Sequence, residues 1–377
     1  MSLRSARKRL VSRGEIPGSN GGVYNPGAVL LGSSIVMLCR REIDYRFTEV
    51  VFPEVVTVDP DTLEVCDHRT LRRYGYPPGS RIEDFRLIEF DGMLLAVHSL
   101  VQGVRIKPVI SRIAENHLEL YDTFDLPFET GPVEKNWVLF VRDRRLHCLY
   151  SLDPLVILVR DDDGGWELVA DTENGWAGAF SQMLSNSANL IPFMGGFLGF
   201  WHTRVEGRYV QGAFLLDRDL TLRARTGTLL DGADVVDGYK PGVLYVSALV
   251  ERAGRVLAFY GEGDAHTGVA VFDSQELERA LIASPFERVD PLRLRYEGRT
   301  MGDVFRAMRL LQSLAAELDF PPIRLHVDDP QVIAAMRSFR VRNVIVRKPQ
   351  HGRPSACDYV LSGPAGRLLA QGATEQA

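Results

Sequence analysis

The side chains best suited to proton transfer lie in one short segment, Ile82-Glu83-Asp84-Phe85-Arg86. A carboxyl group beside a guanidinium can exchange a proton with a reacting bond when both side chains reach the same hollow. Side chains alternate along a strand, so the sequence does not decide which of Glu83 and Asp84 points inward. Without such a hollow, Asp84 is an ordinary turn residue and Glu83 is solvated. The segment therefore predicts either an acid–base centre or a plain turn.

The chain lacks the short motifs of several other chemistries. It contains no GxSxG elbow, no HExxH, no Walker loop and no GxGxxG before a helix. The run Asp161-Asp162-Asp163 precedes two glycines, which is typical of a solvated hairpin rather than a metal site. We therefore expect no metal ion and no cofactor. Four cysteines lie far apart without a CxxC pair, which indicates free thiols: Cys39, Cys66, Cys148 and Cys357.

Composition narrows the classes of partner. The chain has 377 residues, 45% hydrophobic and 25% charged, with a formal net charge of −5, so wholesale nucleic-acid binding is not expected. No run approaches the roughly 20 apolar residues that span a bilayer. Residues 1–20 begin with a basic segment that lacks the apolar core of a secretory signal, and we expect a solvated arm there. Together with the free thiols, this favours a cytoplasmic protein.

From about Asn25 to Asp273 the pattern is a long series of short strands. They are rich in β-branched and aromatic residues and are separated by turn pairs such as Asp91-Gly92 and Ala253-Gly254. About 250 residues of strand exceed one sandwich, but divide into five four-stranded blades of about 50 residues. We therefore predict a mainly β protein whose residues 21–284 form a five-bladed β-propeller.

The pattern changes near Pro285. Met301 to Leu318 places apolar residues at helical spacing, and Asp329–Phe339 reads as a second helix with an aspartate cap. Short strands are expected between and after them. Residues 285–377 are therefore predicted to form a small α/β module, in which no catalytic motif is present.

Six segments, in order, resemble those of the glycoside hydrolase family 130 mannoside phosphorylases. The segment at Asp84 resembles the family's Glu-Asp-Pro-Arg signature, with Phe85 in place of the proline. The resemblance covers roughly residues 20–275. The other segments are Tyr24 to Ala28, Val36 to Arg40, Glu134 to Phe140, Gly196 to His202 with the following Tyr209 to Asp217, and Tyr260 to Asp264.

This resemblance implies a sugar site in which Asp84 is the catalytic acid and inorganic phosphate is the attacking co-substrate. It assigns phosphate contacts, or their equivalents, to Arg105, Lys135 and Tyr150. For His202 and Trp201, burial in the core without any contact to substrate is an alternative interpretation. The substrate-binding residues that the resemblance implies are Asn25, Arg40, Glu83, Arg86, His98, Trp201, His202 and Asp264.

One departure from the family bears on the reaction. Tyr150-Ser151 stands where the family has a phosphate-binding His-Arg pair, so two donors are lost, one of them always cationic. Strict phosphorolysis is therefore in doubt. Some family members are hydrolases that activate water with glutamates, and Glu134 is the nearest candidate for that role.

Three functions remain open on the sequence. The first is an enzyme that cleaves or forms a β-mannoside-type bond, with a small carbohydrate or sugar phosphate as its partner. The second is a mannosyltransferase-like variant of the same site. The third is a non-catalytic carbohydrate-binding or scaffold propeller, and self-association into a homo-oligomer is compatible with each.

Overall fold

The computed structural model describes residues 5–44, 50–128, 130, 132–152, 155–172, 184–285, 292–296, 301–315, 323–327, 344–347, 359–362 and 367–370. The chain divides into two compact units, residues 1–171 with 185–286 and residues 172–184 with 287–377. The first unit is a five-bladed β-propeller, so the predicted mainly β fold is confirmed.

The blades follow one another along the chain. After strand β1 (Ala6–Val11), blade 1 contains β2 (Gly22–Leu31), β3 (Ser34–Glu42), β4 (Val51–Val58) and β5 (Val65–Thr70). Blade 2 contains β6 (Arg72–Tyr74), β7 (Arg81–Phe90), β8 (Met93–Gln102), β9 (Arg105–Ala114) and β10 (His117–Thr123). Blade 3 contains β11 (Val138–Arg142), β12 (Arg145–Leu152), β13 (Leu155–Arg160) and β14 (Trp166–Thr172).

Blade 4 has short inner strands and two short outer ones. Its strands are β15 (Ser185–Asn186), β16 (Ile191–Phe193), β17 (Gly196–Val205), β18 (Arg208–Leu216), β19 (Leu222–Arg225) and β20 (Leu230–Asp231), followed by a 3-10 turn at Gly232–Asp234. Blade 5 contains β21 (Leu244–Arg252), β22 (Arg255–Glu262) and β23 (His266–Asp273). Helix α1 (Ser274–Ile282) follows, and Asp273 caps it by accepting a hydrogen bond from the Glu276 amide at 2.9 Å.

The N-terminal strand completes blade 5, which corrects the expectation of a solvated basic arm. β1 pairs antiparallel with β23, with Ala6 opposite Val271. Leu10 and Val11 are buried, and Arg9 forms ion pairs with Glu262 at 2.8 Å and Asp237 at 3.2 Å. Arg9 therefore pairs with acidic groups of β22 and of the connection before blade 5, which are remote from it in sequence.

Apolar clusters between neighbouring blades hold the ring together. One cluster joins blades 1 and 2, another joins blades 2 and 3, and two more join blade 5 to blades 4 and 1. Between blades 3 and 4, the rings of Phe140 and Phe197 pack edge to face at 5.1 Å between centroids. Burial of this kind, at about 25 cal/mol per Å² of apolar surface, is the main favourable term in folding.

The second unit is described by itself. Its sheet has the order β26 (Val344–Arg347), β25 (Ile323–His326), β24 (Leu292–Tyr296), β27 (Tyr359–Ser362) and β28 (Arg367–Ala370), parallel except for the last pair. Helix α2 (Met301–Ala315) corresponds to the predicted helix at 301–318. The helix predicted at 329–339 lies outside the described residues. Neither described helix is long and apolar enough to cross a bilayer.

Candidate active site

The first strands of several blades meet near the ring axis, and their backbones are distorted there. β2 contacts β7 and β21, and β7 contacts β11. A bulge interrupts β2 between Tyr24 and Gly27, and an equivalent one interrupts β7 between Glu83 and Arg86. Bulges re-aim side chains, and they commonly lie next to functional sites.

Asn25 and Asp84 occupy equivalent places in these two bulges and adopt left-handed φ values of 51° and 59°. Asn136, just before β11, has φ of 65°. Only Asn, Asp and Gly visit this region readily, because their short side chains tolerate it. The bulge at Asp84 also breaks the strict alternation of β7, so that Glu83 and Asp84 both face the cations of the site.

The Asp84 carboxylate is half-buried and accepts a hydrogen bond from Asn25 Nδ2 at 2.8 Å. Burial alone raises the pKa of this carboxyl group. The positive charges of Arg40, Lys135 and Arg86, in that order, together with the Asn25 hydrogen bond, outweigh burial and hold the pKa below its ordinary value. Asp84 is therefore ionised in the resting site.

Arg86 is buried and braces the centre of the ring. Its Nε donates to the Ser187 carbonyl at 2.8 Å, and its Nη1 donates to the Asp84 carbonyl at 3.0 Å. Its Nη2 donates to Asn136 Oδ1 at 3.1 Å and to the Tyr245 hydroxyl. One guanidinium thus joins blades 2, 3, 4 and 5, which fixes the geometry around Asp84.

Glu83 is buried and gathers three cations. Its carboxylate lies 2.8 Å from Arg81 Nη2, 3.4 Å from Lys135 Nζ and 3.7 Å from Arg40 Nη1. Arg40 also contacts Glu42 Oε1 through Nε at 2.9 Å. The Glu83 carboxylate therefore holds Lys135 and Arg40 beside Asp84.

Arg40 lies in the buried end of β3. Its guanidinium stacks on the Tyr24 ring at 5.1 Å, and the Tyr24 hydroxyl donates to Glu42 Oε1 at 2.8 Å. Burial alone lowers the pKa of Arg40. The charges of the surrounding groups outweigh burial and raise the pKa above its ordinary value, so Arg40 remains charged; these groups are Tyr24, Glu83, Glu42 and Asp84. Arg40 is thus a fixed positive charge facing Asp84.

His202 lies at the same centre, on β17 of blade 4. It is buried, and its ring packs edge to face on Tyr245 at 5.0 Å and against Tyr209 at 5.5 Å. Burial, followed by the charge of Arg86, lowers the His202 pKa to about 3, and Asp84 opposes that shift. The imidazole is neutral at pH 7, and its Nδ1 has no hydrogen-bond partner among the described residues.

Two predicted substrate-binding residues lie apart from this centre. Trp201 is fully buried and packs on Gly212, so its ring presents no face to a sugar. Strand alternation explains this, since His202 is its neighbour on β17 and takes the opposite face. His98 is buried between Tyr76 and Phe85, at ring distances of 5.8 and 5.2 Å, where burial lowers its pKa to about 4.

Three further residues lie at the edges or outside. Arg105 is exposed at the hairpin between β8 and β9. Tyr150 packs on Trp137 at 4.9 Å and donates to Glu134 Oε2 at 3.2 Å. Asp264 pairs with Lys240 at 2.5 Å, near enough to Tyr24 to influence its pKa. Of the residues predicted to bind phosphate, Lys135 contacts Glu83 directly.

Sequence reasoning missed Arg81, Asn136, Ser187 and Tyr245. A weak sequence repeat points to Asn136. In three tripeptides an Asn or Asp is followed by a residue with a cyclic side chain: Tyr24-Asn25-Pro26, Glu83-Asp84-Phe85 and Lys135-Asn136-Trp137. The Asn25 and Asp84 positions are 59 residues apart, and Glu83 and Lys135 are 52 apart, about one blade each. No local signal marks Tyr245.

Among the described residues, no group of three or more His, Cys, Asp or Glu side chains is arranged to hold a metal ion. The polar groups of the centre instead pair carboxylates with guanidinium and ammonium groups.

Comparisons with known proteins were made on sequence and on structure. No protein-family model matches the sequence, and no curated protein matches it. Solved structures do match. A β-1,2-mannobiose phosphorylase from Listeria innocua, in complex with β-1,2-mannobiose, matches with a TM-score of 0.58 and 15% identity, over 75% of this chain and 100% of that one.

Two further solved structures are similar to this chain in fold. One, described with the GH130 family of mannoside phosphorylases and its hydrolases that target β-1,2-mannosidic linkages in Candida mannan, has a TM-score of 0.53 and 14% identity, over 67% of this chain and 85% of that one. A glycosyl hydrolase from Bacteroides ovatus has a TM-score of 0.50 and 15% identity, over 71% and 87%. At these identities the likeness concerns the fold: this chain has the five-bladed β-propeller fold of the GH130 mannoside phosphorylases.

Proposed function

We propose that this protein is a glycoside-active enzyme that cleaves or forms a β-mannoside-type bond, with Asp84 exchanging the proton. The observation that carries the proposal is the Asp84 carboxylate, held by Asn25 at 2.8 Å and facing Arg40, Lys135 and Arg86. A non-catalytic scaffold has no need of a left-handed aspartate anchored in this way. The fold shared with β-1,2-mannoside-active proteins supports the substrate class.

In the cleavage direction, a protonated Asp84 delivers its proton toward the leaving oxygen, directly or through a sugar hydroxyl. Positive charge develops on the sugar ring as the bond breaks. In the formation direction, the acceptor hydroxyl attacks the anomeric carbon of a donor mannoside, the bond from that carbon to the leaving group breaks, and the Asp84 carboxylate takes the acceptor's proton. The lowered pKa favours this second role at neutral pH, because the resting group is a base.

The attacking group is proposed to be water or a sugar hydroxyl rather than phosphate. Tyr150 bonds to Glu134, and Arg105 is exposed on a hairpin, so neither supports a phosphate site beside Asp84. Lys135 and Arg40 already share Glu83, and Arg40 also binds Glu42. A phosphate dianion would compete with these carboxylates for the same cations.

The experiment compares Asp84→Asn with Asp91→Asn. Asp91 is an exposed turn aspartate at the far end of β7 with φ of 50°, so it matches Asp84 in residue type and backbone shape. Substrates are an aryl β-mannoside and β-1,2-mannobiose, with and without phosphate, and mannose 1-phosphate with a mannose acceptor. We expect Asp84→Asn to lower kcat/KM by about 10²- to 10⁴-fold and Asp91→Asn to leave it unchanged.

The pH dependence adds a second readout. Cleavage requires protonated Asp84, so its kcat/KM should rise as the pH falls toward the lowered pKa of that group. Bond formation requires the carboxylate and should not rise. Equal activity of Asp84→Asn and wild type on every substrate would contradict the proposal and favour a carbohydrate-binding propeller.

A further inference from the structure

A second candidate site lies away from Asp84, at the outer part of blades 1 and 2. It is a cavity of about 530 Å³, bounded by the start of β4, the end of β5, β6 and the loop before β7. Its lining combines two arginines with an aromatic and proline wall: Phe52, Thr70, Leu71, Arg72, Arg73, Tyr76, Pro77, Pro78 and Gly79.

The backbone around this cavity is fixed on both sides. The Leu71 amide donates to the Pro53 carbonyl at 2.9 Å, which ties β6 to blade 1. The Arg72 amide donates to the Asn116 carbonyl at 3.1 Å, which ties it to blade 2. A ligand entering the cavity therefore meets walls that already have their bound shape, which lowers the entropic cost of binding.

The loop wall is equally well held. Arg73 Nη1 donates to the Ser80 carbonyl at 2.7 Å, and Ser80 Oγ donates to the Pro77 carbonyl at 2.7 Å. The Tyr76 hydroxyl lies 3.0 Å from His98 Nε2, so the phenol ring is pinned at its polar end. The ring and the two prolines form a rigid apolar face beside the arginines.

The described residues that line the cavity carry an excess of positive charge. Arg72 and Arg73 are exposed, and none of the described residues that line the cavity is acidic. Arg72 has no side-chain hydrogen bond or ion pair among the described residues, whereas Arg73 uses one N–H on Ser80. Several guanidinium donors therefore remain available to an anion.

Neighbouring carboxylates do not supply the missing charge. Glu54, behind Thr70, is 99% buried and pairs with Arg41 at 3.4 Å, and its Oε2 accepts the Thr70 hydroxyl at 2.6 Å. Glu119, opposite Tyr74 in the adjoining strand, pairs with Arg112 at 2.5 Å. Both carboxylates are already matched with cations, so the described residues around the cavity leave it with a net positive charge.

We propose that this cavity binds the phosphate group of a small phosphorylated molecule. A guanidinium group matches the oxygens of a phosphate in geometry and charge, Arg72 and Arg73 both line the cavity, and the aromatic and proline wall fits a ring carried on that phosphate. This inference stands apart from the Asp84 chemistry. The phosphate comes either as an ester or as free inorganic phosphate, and the two sources are separated by the test.

The test is calorimetric titration of the full chain with mannose 6-phosphate, inorganic phosphate and mannose. The variant is Arg72→Gln/Arg73→Gln. Its matched control is Arg69→Gln/Arg144→Gln, which removes two exposed arginines outside the cavity. Single Arg72→Gln leaves the Arg73–Ser80 bond intact, so it reports on charge without loosening the loop.

We expect saturable binding of mannose 6-phosphate to wild type and control, and none of mannose at this site. Each cavity arginine removed should weaken binding about tenfold or more. Weaker binding of inorganic phosphate than of the ester would assign a role to the apolar wall, and equal binding would identify free phosphate as sufficient. The Asp84→Asn chain should bind as wild type does.

Two results would overturn the proposal. One is the absence of phosphate or phosphate-ester binding by wild type at millimolar concentrations. The other is equal affinity in wild type and in both arginine variants, which would place the bound ester elsewhere. Neither result depends on whether Asp84→Asn has lost turnover, so this proposal and the Asp84 proposal can fail separately.

Discussion

At the scale of single residues, the centre of the ring depends on how Arg86 is held. The Tyr245 hydroxyl contacts Arg86 Nη2 and donates to Asn136 Oδ1 at 3.0 Å, although Tyr245 and Arg86 are 159 residues apart in the chain. Tyr245 is buried, and burial raises the pKa of its hydroxyl, so it remains a neutral donor at any working pH. It is therefore a positioning residue for Arg86.

Replacing Tyr245 by Phe should lower kcat about tenfold with little change in KM, because Arg86 loses a partner while substrate contacts stay. The loss of one hydrogen bond should cost about 1 kcal/mol of unfolding free energy. Tyr209→Phe is the control, since its ring also packs on His202 but its hydroxyl has no bond among the described residues. Equal loss of kcat in both variants would show that ring packing, not the hydroxyl bridge, matters.

At the scale of elements, strand β1 is part of the ring, although its basic composition indicates a solvated arm. It supplies the outermost strand of blade 5 and buries Leu10 and Val11 against blades 1 and 5. Its ion pairs, such as Arg7 with Asp234 at 3.2 Å, are exposed and contribute little by themselves.

Removing residues 1–11 should therefore lower the free energy of unfolding by several kcal/mol, since burying a Leu or Val contributes about 1.5–3 kcal/mol. Arg7→Gln should change it by less than about 1 kcal/mol. Urea denaturation measures both. Light scattering of the truncated chain should also show association, because β23 then presents an open edge. Equal stability of the truncated and full chains would contradict the role given to β1.

Local signals at this scale predict strands well and long-range pairing poorly. The turn pairs Asp91-Gly92 and Ala253-Gly254 have positive φ at both residues and join hairpins where the sequence indicates them. β1 carries no such local mark, because its partner lies about 260 residues away. Helix α1, just past the last blade, was not predicted either.

The same limits apply to the centre of the ring. The motif around Asp84 could be identified from sequence, but the bulge that turns both Glu83 and Asp84 toward the cations could not. The sequence leaves Trp201 open between a sugar contact and a core residue, and the structure places its ring in the core, on the face of β17 opposite to that of His202. Tyr245 and Ser187 were missed because their contacts join separate blades.

At the scale of the whole molecule, two buried histidines make stability depend on pH. Burial lowers the pKa of His98 to about 4 and that of His202 to about 3, below the unfolded value near 6.5. A depressed histidine pKa means that the unfolded chain binds protons more readily. The stabilisation is complete above about pH 6.5 and is lost as the pH falls toward the folded values.

Between pH 7.5 and pH 5, each histidine should reduce the free energy of unfolding by about 2 kcal/mol. His98→Gln and His202→Gln should each be less stable at pH 7.5 but show a shallower loss between the two pH values. His117→Gln is the control, since that imidazole is not fully buried. Parallel pH dependence in all three variants and wild type would contradict this assignment.

The pairing of β1 with β23 also sets the order in which the chain can mature on the ribosome. Strand β1 is synthesised before the blades but has no partner until about residue 273 has been made. Contacts of such high sequence separation are slow to form, and partly built rings expose apolar blade edges meanwhile. The nascent protein should therefore be most vulnerable to aggregation and to proteases before blade 5 is synthesised, and ring closure should end this exposure of the blade edges.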